Sequence, residues 1–166
     1  MLKNKLTTTL AVMILAALAY VWLSPAGVQK VPDITVNSID GKSFRLSELQ
    51  GQPVVLTFWA TTCPGCLKEM PHLIDLHNEL SAKGLKVIGI AMSYDPPNQV
   101  YSLIKARQVP YTIALDIDGK AAQAFGNIRL TPTTFLISPE GRIIQKKIGE
   151  MDMDKVHKLI VDMLAA

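Results

Sequence analysis

The sequence contains two cysteines, Cys63 and Cys66, with only Pro64 and Gly65 between them. A disulfide joining them would close a very short loop, and chain entropy credits such a loop with only ~2 kcal/mol, less than longer loops supply. A structural role is therefore a weak explanation for the pair. Two thiols at this spacing can instead be oxidised and reduced through a mixed disulfide with another protein. The spacing favours redox chemistry.

The neighbouring sequence predicts which sulfur attacks. An apolar, β-rich run, Val54–Trp59, leads into the cysteines, and an amphipathic helical pattern follows them. Cys63 should therefore lie at a helix N-terminus, where free backbone N–H groups and the helix dipole lower a cysteine pKa from about 8.5 into the range ~3.5–7.5. Cys66, one turn further on, should be more buried and act as the resolving thiol. Pro64 suits the first helical turn because its missing N–H would have had no intrahelical partner.

A zinc site is the main alternative for this segment, because His72 and His77 complete a set of two cysteines and two histidines. The helical rise separates Cys66 from His77 by roughly 16 Å, whereas zinc bonds are ~2.0–2.3 Å long. We therefore expect no metal and no other cofactor. The histidines should be ordinary helix residues, His77 partly buried and His72 solvated.

Predicted strands and helices alternate along the rest of the chain. An Asp-Gly turn signal within residues 39–44 predicts a small N-terminal β-hairpin, followed by one helical turn at 46–49. Strands are predicted at 54–59, 86–91, 111–115, 133–137 and 142–148, and helices at 66–80, 98–107, 121–125 and 152–164. This order predicts an α/β fold over residues 33–166, a three-layer α/β/α sandwich with a mixed sheet and a hairpin elaboration.

The N-terminus has the pattern of a membrane anchor. Residues 1–5 contain Lys3 and Lys5, and Leu6–Leu23 contains no charged residue, a length close to the minimum for a transmembrane helix. Residues 1–5 should stay cytoplasmic by the positive-inside rule, with residues 24–32 as a linker to a domain on the far side. Cleavage at the small residues of Ser24–Ala26 is the alternative, but the apolar run exceeds the usual 7–15 residues of a signal peptide.

The charge balance argues against nucleic acid as a partner. Lys and Arg number 17 against 14 Asp and Glu, a difference of three, and Lys3, Lys5 and Lys30 all precede the predicted domain. Basic and acidic side chains thus cancel within the domain. No basic stripe with interleaved aromatic residues is available for phosphates.

An ordered set of motifs resembles the thioredoxin superfamily, and within it the TlpA/ResA-type membrane-tethered oxidoreductases. The set consists of Ile39–Lys42, Thr57–Cys66, Glu69 and Thr131–Phe135, and the similarity runs from about Val31 to the C-terminus. The resemblance implies a cis Thr131–Pro132 bond that faces the cysteines. It also implies that the Thr131 backbone pairs with an extended substrate segment.

The resemblance further implies roles for individual residues. Substrate binding falls to Trp59, Thr131 and Pro132, and Glu69 matches the acidic residue that such proteins carry three positions after the second cysteine. Because residues i and i+3 share a helix face, the Glu69 carboxylate could reach the cysteines and act in catalysis. A solvated helix glutamate is the alternative.

Two residues depart from the family pattern. Thr62 stands before the first cysteine, where family members usually carry Trp, and Thr57 stands where thioredoxin has a buried Asp. The first departure bears on contact with the substrate. The second bears on proton transfer, because a carboxylate expected there is missing.

The function implied by the resemblance is reduction of client-protein disulfides in cytochrome c or oxidase assembly. The protein would lie at the bacterial inner membrane, facing the periplasm or exterior, and receive electrons from a membrane-embedded thiol donor. Two other functions are open. A thiol peroxidase is suggested by Thr62–Pro64 and Arg129, and copper delivery by the soft ligands Met92, Met151 and Met153.

Overall fold

The computed structural model describes residues 13–14 and 29–165. Seven strands and four helices lie within residues 29–165, together with 3-10 turns at Leu46–Leu49 and Ser81–Lys83. The strands are β1 Thr35–Asn37, β2 Ser43–Arg45, β3 Val54–Trp59, β4 Lys86–Ala91, β5 Thr112–Leu115, β6 Thr133–Ile137 and β7 Ile143–Ile148. The helices are α1 Pro64–Leu80, α2 Pro97–Ala106, α3 Lys120–Ala124 and α4 Met153–Leu164. Each strand and helix predicted within residues 33–166 is present, and its ends lie within two residues of the predicted ones.

Five strands form a mixed sheet in the order β5-β4-β3-β6-β7. Strands β3, β4 and β5 run parallel, whereas β6 pairs antiparallel with β3 and with β7. All six residues of β3 are buried, as expected for a central strand covered on both faces. The mixed sheet predicted from the sequence is confirmed.

Helices cover both faces of this sheet and give the predicted three layers. Side chains alternate along β3, so that Val55 and Trp59 join one core cluster while Leu56 and Phe58 join the other. The first cluster packs against α1, α2 and α4, and the second against α3, the hairpin and the first 3-10 turn. The end of β3 and the start of α1 therefore lie on the side of the sheet that holds the first cluster.

The N-terminal hairpin is also confirmed, with Val36 opposite Phe44. Its turn residue Ser38 forms an antiparallel bridge with Ala114 at the edge of β5. The backbone of residues 29–31 pairs with residues 141–143, so contacts with the domain begin before residue 33, where the sequence placed its boundary. Apart from positions 13 and 14, the predicted membrane helix 6–23 and the cytoplasmic segment 1–5 lie outside the described residues. Within the described residues, no helix is long and apolar enough to cross a membrane.

Candidate redox site

Cys63 and Cys66 form a disulfide at the N-terminus of α1. Cys63 is the N-cap residue, and its Sγ accepts a hydrogen bond of 3.1 Å from the backbone N–H of Cys66. Pro64 occupies the first helical position, where it costs no hydrogen bond. The Cys63 sulfur thus lies among the free backbone N–H groups that stabilise a negative charge.

Both cysteines are buried in the disulfide form. Cys63 is 8% exposed and Cys66 is 4% exposed, a small difference in the predicted direction. The assignment of Cys63 as the attacking thiol stays a prediction, because it concerns the reduced form.

Pro132 lies directly against the redox turn. The Thr131–Pro132 peptide bond is cis, as the resemblance implied. A Cβ atom placed on Gly65 would lie 3.4 Å from Pro132 Cδ, so the proline ring contacts the turn between the two cysteines. Thr131 is half-buried and the preceding Leu130 is 62% exposed. The segment beside the redox turn thus combines a half-buried Thr131 with an exposed apolar side chain, and substrate binding at Thr131 and Pro132 stays a prediction.

Glu69 is buried rather than solvated. Its side chain is 3% exposed, and its Oε1 accepts a hydrogen bond of 3.0 Å from the backbone N–H of Met151. Burial raises the Glu69 pKa, and the nearby Glu150 carboxylate raises it further; the Met151 N–H and His72 act in the opposite direction. A carboxyl that holds its proton more readily than usual is therefore present one turn beyond Cys66.

An exposed ion pair joins α1 to the loop before α4. Lys68 Nζ lies 2.7 Å from Glu150 Oε2, and both side chains are largely exposed. Glu150 Oε1 would lie 3.9 Å from a Cβ on Gly65. The second carboxylate is thus next to the redox turn, but in contact with solvent.

Thr57 and Trp59, two residues of β3, have different surroundings. Thr57 shares a buried hydrogen bond of 2.8 Å with Thr134 on β6, so a hydroxyl pair stands where the resemblance expects a carboxylate. Trp59 is 3% exposed, and a Cβ on Gly89 would lie 3.0 Å from its Nε1. The indole therefore fills space that only glycine leaves free on β4. Its role in substrate binding stays a prediction, and a buried ring would have to act through the residues that cover it.

Asp95 is a residue at this site that the sequence reasoning missed. It is 4% exposed and lies in the loop between β4 and α2. Its carboxylate accepts hydrogen bonds from the backbone N–H and the hydroxyl of Thr61, at 2.6 Å and 2.5 Å. Its place in the loop after a parallel strand was a general signal, because such loops often carry functional residues, but nothing in the sequence indicated Thr61 as its partner.

The histidines occupy the positions expected for ordinary helix residues. His72 is exposed and His77 is half-buried, and burial lowers the His77 pKa. Within the described residues, no group of three or more His, Cys, Asp or Glu side chains is arranged to hold a metal ion.

The chain is similar in sequence to known thiol-disulfide oxidoreductases. The model of the AhpC/TSA family matches residues 28–146. The thiol-disulfide oxidoreductase ResA of Halalkalibacterium halodurans is 33% identical over 138 residues, which is 83% of this chain and 77% of that protein. ResA of Bacillus subtilis is 29% identical over 126 residues, covering 76% and 69%.

Solved structures show the same fold. StoA from Bacillus subtilis superposes with a TM-score of 0.67 at 27% identity, covering 78% of this chain and 98% of StoA. The thioredoxin domain of a thiol-disulfide oxidoreductase from Bacteroides vulgatus gives a TM-score of 0.71 at 25% identity, covering 81% and 98%.

Proposed function

The chain belongs to the AhpC/TSA family and, within it, to the thiol-disulfide oxidoreductases related to ResA, and from this premise we propose that it reduces disulfides of client proteins outside the cytoplasm. The observation that carries the proposal is the Cys63–Cys66 disulfide at the start of α1, with Pro132 against the redox turn and the buried Glu69 carboxyl one helical turn beyond Cys66.

The proposed cycle begins with the reduced protein. The Cys63 thiolate attacks one sulfur of a client disulfide, and the other client sulfur leaves as a thiolate that takes a proton from water. Cys66 then gives its proton to Glu69 and attacks the Cys63 sulfur. This step releases the second client sulfur and leaves the Cys63–Cys66 disulfide, so that two electrons have passed to the client.

The oxidised protein needs an external dithiol to return to its starting state. We propose a thiol donor embedded in the membrane, with the domain tethered next to it by a helix over residues 6–23. The client class, cytochrome c or oxidase assembly, follows from the resemblance to TlpA/ResA-type proteins. Reduction is the proposed net direction for the same reason.

Trapping of mixed disulfides tests this proposal. A Cys66→Ala variant can attack a client but cannot resolve the product, so clients should accumulate as complexes that dithiothreitol releases. The matched control, Cys63→Ala, leaves the buried thiol and should trap little. Equal trapping by both variants, or trapping only by Cys63→Ala, would contradict the proposed roles.

Direct assays distinguish disulfide reduction from the two alternatives, thiol peroxidase activity and copper delivery. A thiol peroxidase would consume hydrogen peroxide at the expense of a thiol reductant, and a copper carrier would bind Cu(I) tightly in its reduced form. We expect neither activity at a rate or affinity comparable to disulfide exchange. Faster peroxide consumption than disulfide reduction would overturn the assignment.

The anchor is tested by fractionation of the full-length chain. An uncleaved helix over residues 6–23 should keep the protein in the membrane pellet after salt and alkaline washes, with Met1 or Leu2 as its first residue. A mature protein that starts near Gly27 and washes off with salt would instead indicate a cleaved signal peptide.

A further inference from the structure

We propose that Asp95 is a positioning residue, which holds Cys63 at the N-terminus of α1 by fixing the segment that enters the redox turn. The inference rests on the proposed dithiol function, and it adds a residue that lies outside the sequence motifs. Its basis is a set of hydrogen bonds that joins the ends of β4 and β3.

Asp95 is itself fixed in place. Its backbone N–H donates to Met92 O at 2.9 Å, and the Met92 N–H donates to Trp59 O at 3.0 Å. The turn after β4 is therefore tied to the last residue of β3. The Asp95 side chain, buried to 4% exposure, projects from this turn towards the residues that follow β3.

The carboxylate takes two hydrogen bonds from one residue. It binds the Thr61 N–H at 2.6 Å and the Thr61 hydroxyl at 2.5 Å. Short hydrogen bonds to a charged acceptor are stronger than neutral ones. Two residues later, the Cys63 N–H donates to Ala60 O at 3.2 Å, so the chain from Ala60 to Cys63 is a tight turn whose middle is held by Asp95.

The position of Cys63 depends on this turn. Its Sγ reaches the Cys66 N–H at 3.1 Å only while Cys63 stays at the N-cap. Loss of the Asp95 contacts would let the turn shift and weaken that hydrogen bond, so the reduced thiolate would lose part of its stabilisation. Removal of the carboxylate charge alone would have the opposite effect, because a nearby negative charge disfavours a thiolate.

Displacement of the turn should raise the Cys63 pKa, whereas loss of the Asp95 charge alone should lower it, so the titration of Cys63 distinguishes the two effects. In Asp95→Asn, the amide oxygen can accept from only one of the two Thr61 donors, and the amide N–H₂ faces the other. The alkylation rate of reduced Cys63 by iodoacetamide, measured against pH, reports its titration without any client. We expect the midpoint to rise by about 0.5–1 pH unit, and alkylation below the midpoint to slow about three- to tenfold.

Asp116 provides a matched control. It is another buried aspartate directly after a strand, 5% exposed, and it accepts two hydrogen bonds of 2.8 Å from the Ala121 and Ala122 N–H groups at the start of α3. Asp116→Asn should lower the free energy of unfolding as much as Asp95→Asn does. It should leave the Cys63 titration unchanged, because α3 lies on the opposite face of the sheet.

A second variant covers the case in which Asp95→Asn does not fold. Thr61→Val removes the hydroxyl bond but keeps the backbone one, and it should move the midpoint upward by a smaller amount. A downward shift in either folded variant, an unchanged midpoint, or an equal shift in Asp116→Asn would overturn the inference. If Cys66→Ala traps no client, the proposed function fails, while the alkylation results still decide the role of Asp95.

Discussion

Replacement of Glu69 by glutamine tests how the buried carboxyl contributes to exchange. Cys66 must lose a proton before it can attack the mixed disulfide, yet its burial favours the neutral thiol. Glu69 lies one helical turn beyond Cys66, is 3% exposed, and has a pKa raised by burial. When ionised, it is therefore a stronger base towards the Cys66 thiol than an ordinary glutamate would be.

The expected loss of rate follows from that role. The glutamine oxygen can still accept the Met151 N–H bond of 3.0 Å, so Glu69→Gln should keep the fold. Without a base, exchange should slow by roughly 10–100-fold, which corresponds to about 1.4–2.7 kcal/mol of activation free energy. The thiol titration should move downward, because a neighbouring negative charge that opposes the thiolate has been removed.

Stability should change in the opposite direction to activity. Because the Glu69 pKa in the folded protein lies above its ordinary value of 4.5, the folded state retains a proton that the unfolded state has lost. The free energy of unfolding of the wild type should therefore fall as pH rises from about 4.5 through the raised pKa. The free energy of unfolding of Glu69→Gln should not fall in this way, so at neutral pH the variant should be more stable than the wild type.

The assay combines exchange kinetics with denaturant unfolding at several pH values. Glu79→Gln is the matched control, since Glu79 lies on the same helix but is exposed and bonds His157 at 2.9 Å; it should change neither exchange nor the thiol titration. Unchanged exchange kinetics and unchanged cysteine titration in a folded Glu69→Gln protein would refute the proton-transfer role and leave water or the client as the acceptor.

Three further predictions concern the surroundings of the redox pair. In the reduced protein, Cys63 should be alkylated far faster than Cys66 near neutral pH, as site-resolved mass spectrometry would measure; faster reaction of Cys66 would reverse the two roles. Gly89→Ala should lower the free energy of unfolding by about 1–3 kcal/mol, because its Cβ would lie 2.9 Å from Ile113 Cδ1 and 3.0 Å from Trp59 Nε1; denaturant midpoints equal to wild type would show that both side chains can move. Glu150→Gln should lower the Glu69 pKa, so the free energy of unfolding should fall over a narrower pH range than in the wild type. Loss of the exposed ion pair with Lys68 should cost at most about 1 kcal/mol.

Much of this protein is determined by local sequence. Continuous apolar runs identified the central strands, and apolar residues at helical spacing identified the long helices, because both patterns lie within a single element. The spacing of Cys63 and Cys66 at a strand-to-helix junction indicated the redox turn and the N-cap position of Cys63 without any distant contact. The motif resemblance extended this to Pro132 and Glu69.

The tertiary structure decided what surrounds those residues. A glutamate at a helix position is equally compatible with solvent or burial, and Glu69 became a buried carboxyl only because the loop at Met151 packs over it and donates its N–H. In the same way, Asp95 has no local partner that marks it, and its role arises because β4 lies parallel to β3 and ends beside Thr61. The physical reason is common to both: burial and hydrogen bonding depend on which distant segments the sheet brings together, and a pattern within one segment does not contain that information.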